Sequence, residues 1–562
     1  MCGLALVTWA EDSEDILEGV QDMRRKKYLW IFLALALIFA LVVVAGCGEQ
    51  ADEPSEPTEP DEPEEDEEEE DEEEPAGPQE GGSIVIAQPA PNVPPPDIHN
   101  ASNIGDLCGA SMIGEPLIFW RDEDYHGSLA DSWDVSEDGL TYTFNVRTGV
   151  KFHNGETLDA HDIIANFDRI TNPEDPRYAA GSFANVVNYE ATGDMTFTLE
   201  LGGMDPDFLA KILTVWILEP GSWETGDYAG TGPFMIGEYA EDERLVLNRF
   251  EDYWGGMPNL ESITFRGIPD AGTQVLELET GGIDMALFAP PKEGQRLEDL
   301  GFNVMEFGRV NWARLVFNMS TVTDLDLRRA IAYAIDRQAL IDVAYAGYGV
   351  PMDQLAVPGS WAYDENAPSY TYDPARATAV LDEAGYVDAS GDGIREINGE
   401  PIVLHLPVRG DDEAWLRATQ MIQQMLFDVG ISTQITTAAR LPYYDAVRTG
   451  GFDITLWLSN AAAEPPVAIG NLDGASYWNV SQYPKDHPVQ VNINELIVAG
   501  RSTLDFDERK QHYSEINQLV YDEAIEAFGW WMFQIYAARS EINDVFLAPS
   551  GIFYQTHLWY LD

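Results

Sequence analysis

The stretch 388–393 reads Asp-Ala-Ser-Gly-Asp-Gly, which places side-chain oxygen atoms at every second position and ends in glycine. This is the pattern of the first half of a calcium-binding EF-hand loop. Such a loop needs a bidentate Glu at its twelfth position, where this chain has Gly399. A turn held by Asx-type hydrogen bonds is therefore the expectation, with calcium binding as the alternative. His153 and His161 lie eight residues apart across a predicted turn, a poor spacing for shared metal ligands. We predict no metal site and no cofactor.

Cysteine occurs at Cys2, Cys47 and Cys108, with no spacing that indicates a disulfide framework or a metal site. Cys47 ends the tetrapeptide Val-Ala-Gly-Cys, which resembles the bacterial lipobox. In a lipobox the Cys sulfur receives a diacylglycerol, and the Cys becomes the first residue after cleavage. The sequence thus predicts lipidation at Cys47, and it predicts Cys108 to be a buried, small apolar side chain.

The segment before Cys47 reads as a lipoprotein signal peptide covering residues 23–47. Four basic residues at 24–27 precede an uninterrupted apolar run at 29–44, which is short for a membrane-spanning helix. An uncleaved anchor helix is the alternative, and both interpretations place the rest of the chain outside the cytoplasm. Residues 1–22 are acidic and precede the basic cluster, so we interpret them as a mis-called upstream segment before a true start at Met23.

Charge is strongly unbalanced, with 98 acidic residues against 31 basic ones and a formal net charge of −67. Residues 48–82 contain Glu-Pro repeats and a long acidic run, which cannot bury apolar surface and should form a disordered, extended linker. The remaining chain is also acidic, and such a surface repels nucleic acid. We expect no nucleic-acid partner.

Periodic apolar residues beyond the linker predict a mixed α/β protein. Residues 141–147 and 195–201 alternate as strands do, whereas Asp373 before Pro374 marks a helix start and Gly385 its end. A second helical pattern at 415–429 is followed by Gly430 and a strand. At 562 residues the chain is long enough for two or three domains.

Several segments, in fixed order, carry a recognisable pattern: 114–120 with Ser-Leu-Ala-Asp-Ser-Trp at 128–133, Asp-Gly-Leu-Thr-Tyr-Thr-Phe at 138–144, Val-Lys-Phe-His-Asn-Gly at 150–155, Gly-Thr-Gly-Pro-Phe at 230–234, 248–256, and Arg-Arg-Ala-Ile-Ala-Tyr-Ala-Ile-Asp-Arg at 328–337. Together they resemble the family 5 solute-binding proteins of peptide- and nickel-type ABC transporters. The resemblance covers nearly all of 81–562. We expect these segments to be mostly scaffold, with Asp336 and Arg337 fixing helix packing.

The resemblance implies a two-lobe periplasmic-binding-protein-like type II fold with an extra subdomain. Lobe I would comprise 83–308 and 524–562, with the subdomain at about 125–228, and lobe II would comprise 309–523. The crossings near Gly308 and Glu523 would be hinge strands, and solute would shift an equilibrium between open and closed forms.

The implied function is the extracellular solute-binding component of an ABC importer. It would bind a peptide-like small solute between the lobes and deliver it to a membrane permease. We expect a monomer held by its lipid anchor at the extracytoplasmic face of the membrane, at the cell surface or in the periplasm. The alternatives are a sensory receptor of the same fold and a binder of an oligosaccharide or another non-peptide solute.

The resemblance also points to ligand-binding residues. In peptide-binding relatives, the Trp that aligns with Trp457 is followed three positions later by an Asp that pairs with the ligand's α-amine. This chain has Asn460 there, which puts a free-amine peptide in doubt, since a carboxylate binds an ammonium far better than an amide does. Glu464 could substitute.

Arg409 aligns near an Arg that binds the ligand's carboxylate in dipeptide-binding relatives, and a bidentate pair suits it. Asp411 and Asp412 could instead neutralise it, so a structural role is equally open. Further candidate ligand contacts stand in or beside predicted cleft loops: Trp361, Tyr444, Asn100 and Ser102.

An enzyme is the contrasting class of function. The sequence contains no Gly-x-Ser-x-Gly elbow, no His-Glu-x-x-His, no phosphate loop and no Gly-x-Gly-x-x-Gly. We predict no catalytic activity and no catalytic residues.

Overall fold

A computed structural model describes residues 80–89, 93–101, 103–121, 124–172, 174, 183–358, 360–460, 469–476, 479–548 and 550–562. The predictions for the upstream segment, the signal peptide, Cys47 and nearly all of the linker lie outside the described residues, as do those for Ser102 and Glu464. Among the helices of the described ranges, none is long and apolar enough to cross a membrane.

The strands, numbered in chain order, are β1 (Ser83–Gln88), β2 (Ile118–Arg121), β3 (Asp124–Gly127), β4 (Ala130–Val135), β5 (Thr141–Val146), β6 (Val186–Gly193), β7 (Thr196–Leu201), β8 (Phe234–Ala240), β9 (Arg244–Arg249), β10 (Ser262–Gly267), β11 (Met285–Ala289), β12 (Asn303–Phe317), β13 (Gly349–Pro351), β14 (Glu396–Ile397), β15 (Glu400–Pro401), β16 (Val403–Arg409), β17 (Ser432–Ala438), β18 (Ile454–Asn460), β19 (Glu526–Ala538), β20 (Ile542–Asn543), β21 (Phe546–Leu547), β22 (Phe553–Tyr554) and β23 (Tyr560–Leu561).

The α-helices are α1 (Ile104–Ile113), α2 (Ala160–Thr171), α3 (Phe208–Ile212), α4 (Pro220–Thr225), α5 (Ala271–Thr280), α6 (Gly294–Asp299), α7 (Leu325–Ala334), α8 (Arg337–Ala344), α9 (Pro374–Glu383), α10 (Glu413–Asp428), α11 (Arg440–Arg448), α12 (Pro488–Gly500) and α13 (Phe506–Asp522). Short 3-10 helices cover Ile98–Asn100, Pro291–Glu293 and Thr556–Leu558.

The two longest strands, β12 and β19, pair antiparallel along most of their length and join two hydrophobic cores. Phe307 and Tyr536 belong to the core of lobe I, whereas Leu315 and Trp530 belong to the core of lobe II. The nine-stranded sheet containing both strands has the order β18-β12-β19-β11-β1-β10-β9-β8, with β13 paired to β19 off this path. The same sheet therefore contributes to both lobes.

Pairing between β12 and β19 is interrupted near the predicted crossing between the lobes at Gly308. The register shifts between Phe307, opposite Gln534, and Asn311, opposite Met532. Gly308 lies inside this interruption with φ +93, a backbone conformation that glycine adopts without strain. Such a local break in the ladder is a suitable place for a hinge. The other predicted crossing, Glu523, follows the end of α13 and precedes β19.

The subdomain has a sheet and a core of its own. Its strands follow the order β4-β5-β7-β6, and the alternation predicted for 141–147 and 195–201 is confirmed, with Tyr142, Phe144 and Phe197 buried on one face. The amphipathic helix α2 contributes Phe167 to the same core.

Lobe II contains β-α units in which Asp residues begin the helices. Asp373 accepts a hydrogen bond from the Arg376 N–H at 2.8 Å and Pro374 occupies the first turn, so the predicted start of α9 is confirmed. Asp412 caps α10 in the same way.

The segment 328–337 of the resemblance is divided between two helices. The first ends at Ala334, Ile335 is extended, and Asp336 accepts a hydrogen bond from the Ala339 N–H to begin α8. Arg337 donates to the carbonyl oxygens of Met352 and Tyr370, so the packing role predicted for this pair is confirmed.

Candidate functional site in lobe II

Three strands of lobe II run parallel and end in one region, β16 and β17 as a two-stranded sheet and β18 at the edge of the nine-stranded sheet. β16 pairs parallel with β17, so Arg409 and Ala438 are neighbours at their carboxyl ends. β18 lies on the other side of β16, because the Asp453 N–H donates to the His405 carbonyl oxygen at 3.0 Å and Thr455 Oγ1 donates to that of Pro407. Carboxyl ends of parallel strands are where ligands bind in open α/β sheets. We call this region, with the first turns of α10 and α11, the carboxyl edge.

Arg409 is the last residue of β16, and its guanidinium is held in place from two sides. Nε and Nη2 each donate to one carboxylate oxygen of Asp411 at 3.1 Å. The guanidinium carbon lies 5.6 Å from the centre of the Trp415 ring. Burial acts to lower the pKa of Arg409, but Asp411, Tyr444 and Asp412 outweigh burial and raise that pKa, so the side chain stays charged. Asp411 therefore neutralises Arg409, as one of the two sequence-based alternatives proposed. The Arg409 guanidinium is also held in one orientation, which suits contact with a second anion.

Tyr444 and Trp457 lie together at the same edge. Their ring centres are 5.3 Å apart with the planes at 80°. Trp457 is fully buried, and Tyr443 Oη donates to the Leu456 carbonyl oxygen at 2.5 Å beneath it. The Arg448 guanidinium carbon lies 5.6 Å from the Tyr444 ring centre, within the range of a cation–π contact. The structure thus brings three of the predicted residues, Arg409, Tyr444 and Trp457, into one region.

Asn460 is the last residue of β18 and pairs in register with Asn311 of β12. Its backbone lies at the end of β18, and its side chain lies outside what the structure describes, so its role in amine recognition stays a prediction.

The remaining candidates lie elsewhere. Asn100 is exposed in the 3-10 helix after β1, where its amide donates to Asp97 at 3.5 Å. Trp361 belongs to a different apolar cluster of lobe II and packs against Phe506 and Tyr513, at ring-centre distances of 5.0 and 5.8 Å. These two residues are not grouped with the carboxyl edge.

The Gly-Thr-Gly-Pro-Phe segment has a structural role at the junction of subdomain and lobe I. A Cβ atom on Gly230 would lie 1.9 Å from the Ile113 carbonyl oxygen, and one on Gly232 would lie 2.4 Å from that of Met112. His153 bridges the two glycines, with Nδ1 accepting from the Gly230 N–H at 3.2 Å and Nε2 within 2.9 Å of the Gly232 carbonyl oxygen. Burial lowers the pKa of His153 to about 4, so the ring is neutral at pH 7.

Glu115 is a buried acid at this junction. Tyr253 Oη and Trp254 Nε1 donate to its two oxygens at 2.8 and 2.7 Å. Burial raises the pKa of Glu115 to about 7, although these hydrogen bonds and Arg147 act in the opposite direction. The residues recognised as a sequence signature here are therefore scaffold.

Three comparisons with known proteins agree. Residues 124–479, more than half of the chain, match the model of the bacterial extracellular solute-binding proteins, family 5 Middle. The chain belongs to this family. The dipeptide-binding protein of Escherichia coli (strain K12) is 28% identical over 433 residues, which cover 70% of this chain and 79% of that protein. The nickel-binding periplasmic protein of the same organism is 27% identical over 466 residues, or 77% and 88% of the two chains.

A solved structure shows the same architecture. NikA from Brucella suis in complex with Fe(III)-EDTA has a TM-score of 0.76 and 26% identity, covering 86% of this chain and 100% of that chain. The two-lobe α/β fold expected from the sequence is confirmed. As a family 5 member, the protein is the extracytoplasmic solute-binding component of an ABC importer, and its relatives are binding proteins.

Trp415 and Tyr443 pack beneath the candidate site of this family 5 protein but were not among the predicted site residues. Trp415 follows the cap of α10 and underlies Arg409, and Tyr443 packs between Trp415 and Trp457, with ring-centre distances of 6.5 and 6.3 Å. Both aromatics stand near the start of a helix that follows a strand, Trp415 after β16 and Tyr443 after β17.

The 388–393 loop is the Asx turn that the sequence favoured. Asp388 accepts hydrogen bonds from the N–H groups of Gly391 and Gly393 at 2.7 and 3.0 Å, and Asp392 accepts from that of Ile394 at 2.9 Å. Within the described ranges, no group of three or more His, Cys, Asp or Glu side chains is arranged to hold a metal ion. Cys108 is buried as predicted, and burial raises its thiol pKa to about 12.

Proposed function

We propose that this family 5 protein captures a small, peptide-like solute and holds the solute's carboxylate against Arg409 at the carboxyl edge of lobe II. The observation that supports this most directly is the fixed guanidinium of Arg409, placed where three parallel strands end, beside Tyr444 and Trp457. The resemblance of the chain to a dipeptide-binding protein points to the same chemistry.

Arg409 has the geometry for a second carboxylate. A pair made through Nε and Nη2 uses one edge of the planar guanidinium, and the other edge remains geometrically separate. Stacking on Trp415 and pairing with Asp411 fix the side chain in advance, so a solute would spend little conformational entropy on ordering it. A planar cation held in this way suits the recognition of a planar carboxylate.

At the other end of the solute, Asn460 replaces the acid that peptide-binding relatives use for an α-amine. A neutral amide favours a neutral or blocked group over an ammonium. We therefore propose a solute with a free carboxylate and a weak requirement for a free amine.

The proposal extends to the N-terminal segment. Lipidation at Cys47 would anchor the chain to the outer face of the membrane, and the fully extended acidic linker at 48–82 would span about 120 Å at most, which lets the binding lobes reach a nearby permease. We propose that the protein works there as a monomer.

A thermal-shift screen of the full chain tests the solute class. The protein is unfolded and refolded to remove carried-over solute, then mixed with di- to pentapeptides, their N-acetylated forms, their C-terminal amides and oligosaccharides. A solute at 100 times its dissociation constant should stabilise the protein by about 2.7 kcal/mol. We expect shifts from free and N-acetylated peptides and none from C-terminal amides.

Two variants locate the site. Arg409→Gln should weaken binding of a responding peptide at least ten-fold, because a charged bidentate contact is lost. Arg417→Gln, at an exposed arginine on α10, is the matched control and should bind as the wild type does. Equal binding of acids and amides, or a response only to oligosaccharides, would contradict the proposal.

A further inference from the structure

Arg509 is a buried cation of lobe II that lies outside the carboxyl edge. It stands in the first turn of α13, with a side chain that is 3% exposed. Its Nε donates to the Gly500 carbonyl oxygen at 3.1 Å, and its guanidinium carbon lies 4.6 Å from the centre of the Trp361 ring. Lobe II therefore holds this cation in a fixed orientation.

The partner of Arg509 belongs to the subdomain. Nη2 donates to Asp207 Oδ1 at 2.5 Å, and the Asp207 side chain is 13% exposed. Asp207 immediately precedes α3, whose Phe208 packs in the subdomain core against Tyr142. Its carboxylate makes no capping hydrogen bond to α3, so it is directed to the other lobe instead of its own helix.

An apolar contact accompanies the ion pair. A Cβ atom on Gly139, in the turn between β4 and β5, would lie 3.1 Å from Leu504 Cδ1 and 3.5 Å from Met204 Cγ. Leu504 precedes α13, whereas Gly139 and Met204 belong to the subdomain. Two neighbouring contacts thus join the same pair of surfaces.

In sequence, Asp207 lies about a hundred residues before Gly308, and Arg509 lies about two hundred residues after it. Rotation of the lobes about the interruption at Gly308 must change the separation of Asp207 and Arg509, because they lie on opposite sides of that interruption. We propose that Asp207 and Arg509 form a latch that favours the closed form. The inference rests on the solute-binding role of the family and not on the identity of the solute.

Burial and pairing act in opposite directions on the pKa of each member of the pair. Burial acts to lower the pKa of Arg509, but Asp207 and Tyr513 outweigh it and raise that pKa. For Asp207, burial is the larger influence and raises the pKa, while Arg509 lowers it. A latch that parts on opening exposes both charges to water, so removing one partner leaves the other charge buried in the closed form and the penalty falls on that form.

The test measures the distance between subdomain and lobe II in the refolded full chain at pH 7.5. Spin labels at Glu190→Cys and Glu515→Cys, both exposed positions, report this distance when Cys2 and Cys47 are replaced by Ala. The latch predicts a short-distance population in the parent protein. Asp207→Asn or Arg509→Gln should reduce that population at least three-fold, and the double variant should lose no more than either single variant.

Asp205→Asn is the matched control, because Asp205 pairs with Lys211 within the subdomain. It should leave the distances unchanged, and thermal melting checks that each variant is folded. Unchanged or shortened distances in folded Asp207→Asn and Arg509→Gln, or no short population in the parent, would overturn the latch. A failure of the peptide proposal would leave these distances as predicted.

Discussion

The subdomain meets its neighbours at two joints of different construction. Toward lobe I, His153 of the subdomain hydrogen-bonds to Gly230 and Gly232, and the Gly230 backbone lies so close to that of Ile113 that a single added carbon atom has no room. Toward lobe II, the contacts among the described residues include the Asp207–Arg509 ion pair and the approach of Leu504 to Gly139. Backbone contact cannot be released without unfolding, whereas side chains can part and be hydrated. The first joint suits a permanent attachment and the second a reversible one.

The largest effect should follow from substitution in the permanent joint. Gly230→Ala places a Cβ atom 1.9 Å from a backbone oxygen, and we expect a loss of more than about 4 kcal/mol or failure to fold. The control is Gly281→Ala at the end of α5, where φ is +76 and no atom lies within 4 Å of the added carbon. That variant should lose about 1–2 kcal/mol. Chemical denaturation measures both, and similar losses would contradict the assignment of Gly230 to a close backbone contact.

A smaller effect should come from Glu115, and it should depend on pH. Since burial raises its pKa from the ordinary value of 4.5 to about 7, the folded protein binds a proton more tightly than the unfolded chain. The resulting stability is fully present below pH 4.5 and is lost as the pH rises to about 7. Glu115→Gln keeps a neutral side chain at every pH. Relative to this variant, the wild type should lose about 3 kcal/mol between about pH 4.5 and about pH 8.

The stability of wild type is compared with that of Glu115→Gln because His153 also makes stability depend on pH. Its pKa is lowered to about 4, so its contribution is present above pH 6.5 and is lost as the pH falls toward 4. Both proteins in the comparison keep His153, and its contribution cancels. A pH-independent difference between wild type and Glu115→Gln would show that the acid is not protonated on folding.

Sequence reasoning predicted well where the physical cause is local. The cap at Asp373 and the alternation in β5 follow from neighbouring residues, and the neutralisation of Arg409 by Asp411 spans two positions. Gly230 and Gly232 were recognised as part of a family signature. Glycine is required there because the backbone at Met112 and Ile113, more than a hundred residues away in sequence, leaves no room for a Cβ atom.

Long-range pairing explains what could not be predicted. Asp207 and Arg509 are separated by 302 positions, and nothing near either residue indicates the other. Trp361 was grouped with the solute site because its loop was expected beside the cleft, whereas in the structure its ring covers Arg509. An aromatic side chain at 361 indicated a packing or binding role, but its contact with Arg509 depends on how lobe II folds.

The smallest expected effect distinguishes these two roles of Trp361. Trp361→Leu removes a cation–π contact worth about 0.5–2 kcal/mol and loosens Arg509 without removing its charge. If Trp361 supports the latch, the short-distance population should fall by less than it does in Asp207→Asn, and adding Trp361→Leu to Arg509→Gln should change nothing further. The same spin-label measurement checks this. If Trp361 instead contacts solute, peptide binding should weaken while the distances in the solute-free protein stay as they are. The second result would assign Trp361 to the binding site and leave the ion pair as the main support of the reversible joint among the contacts that the structure describes.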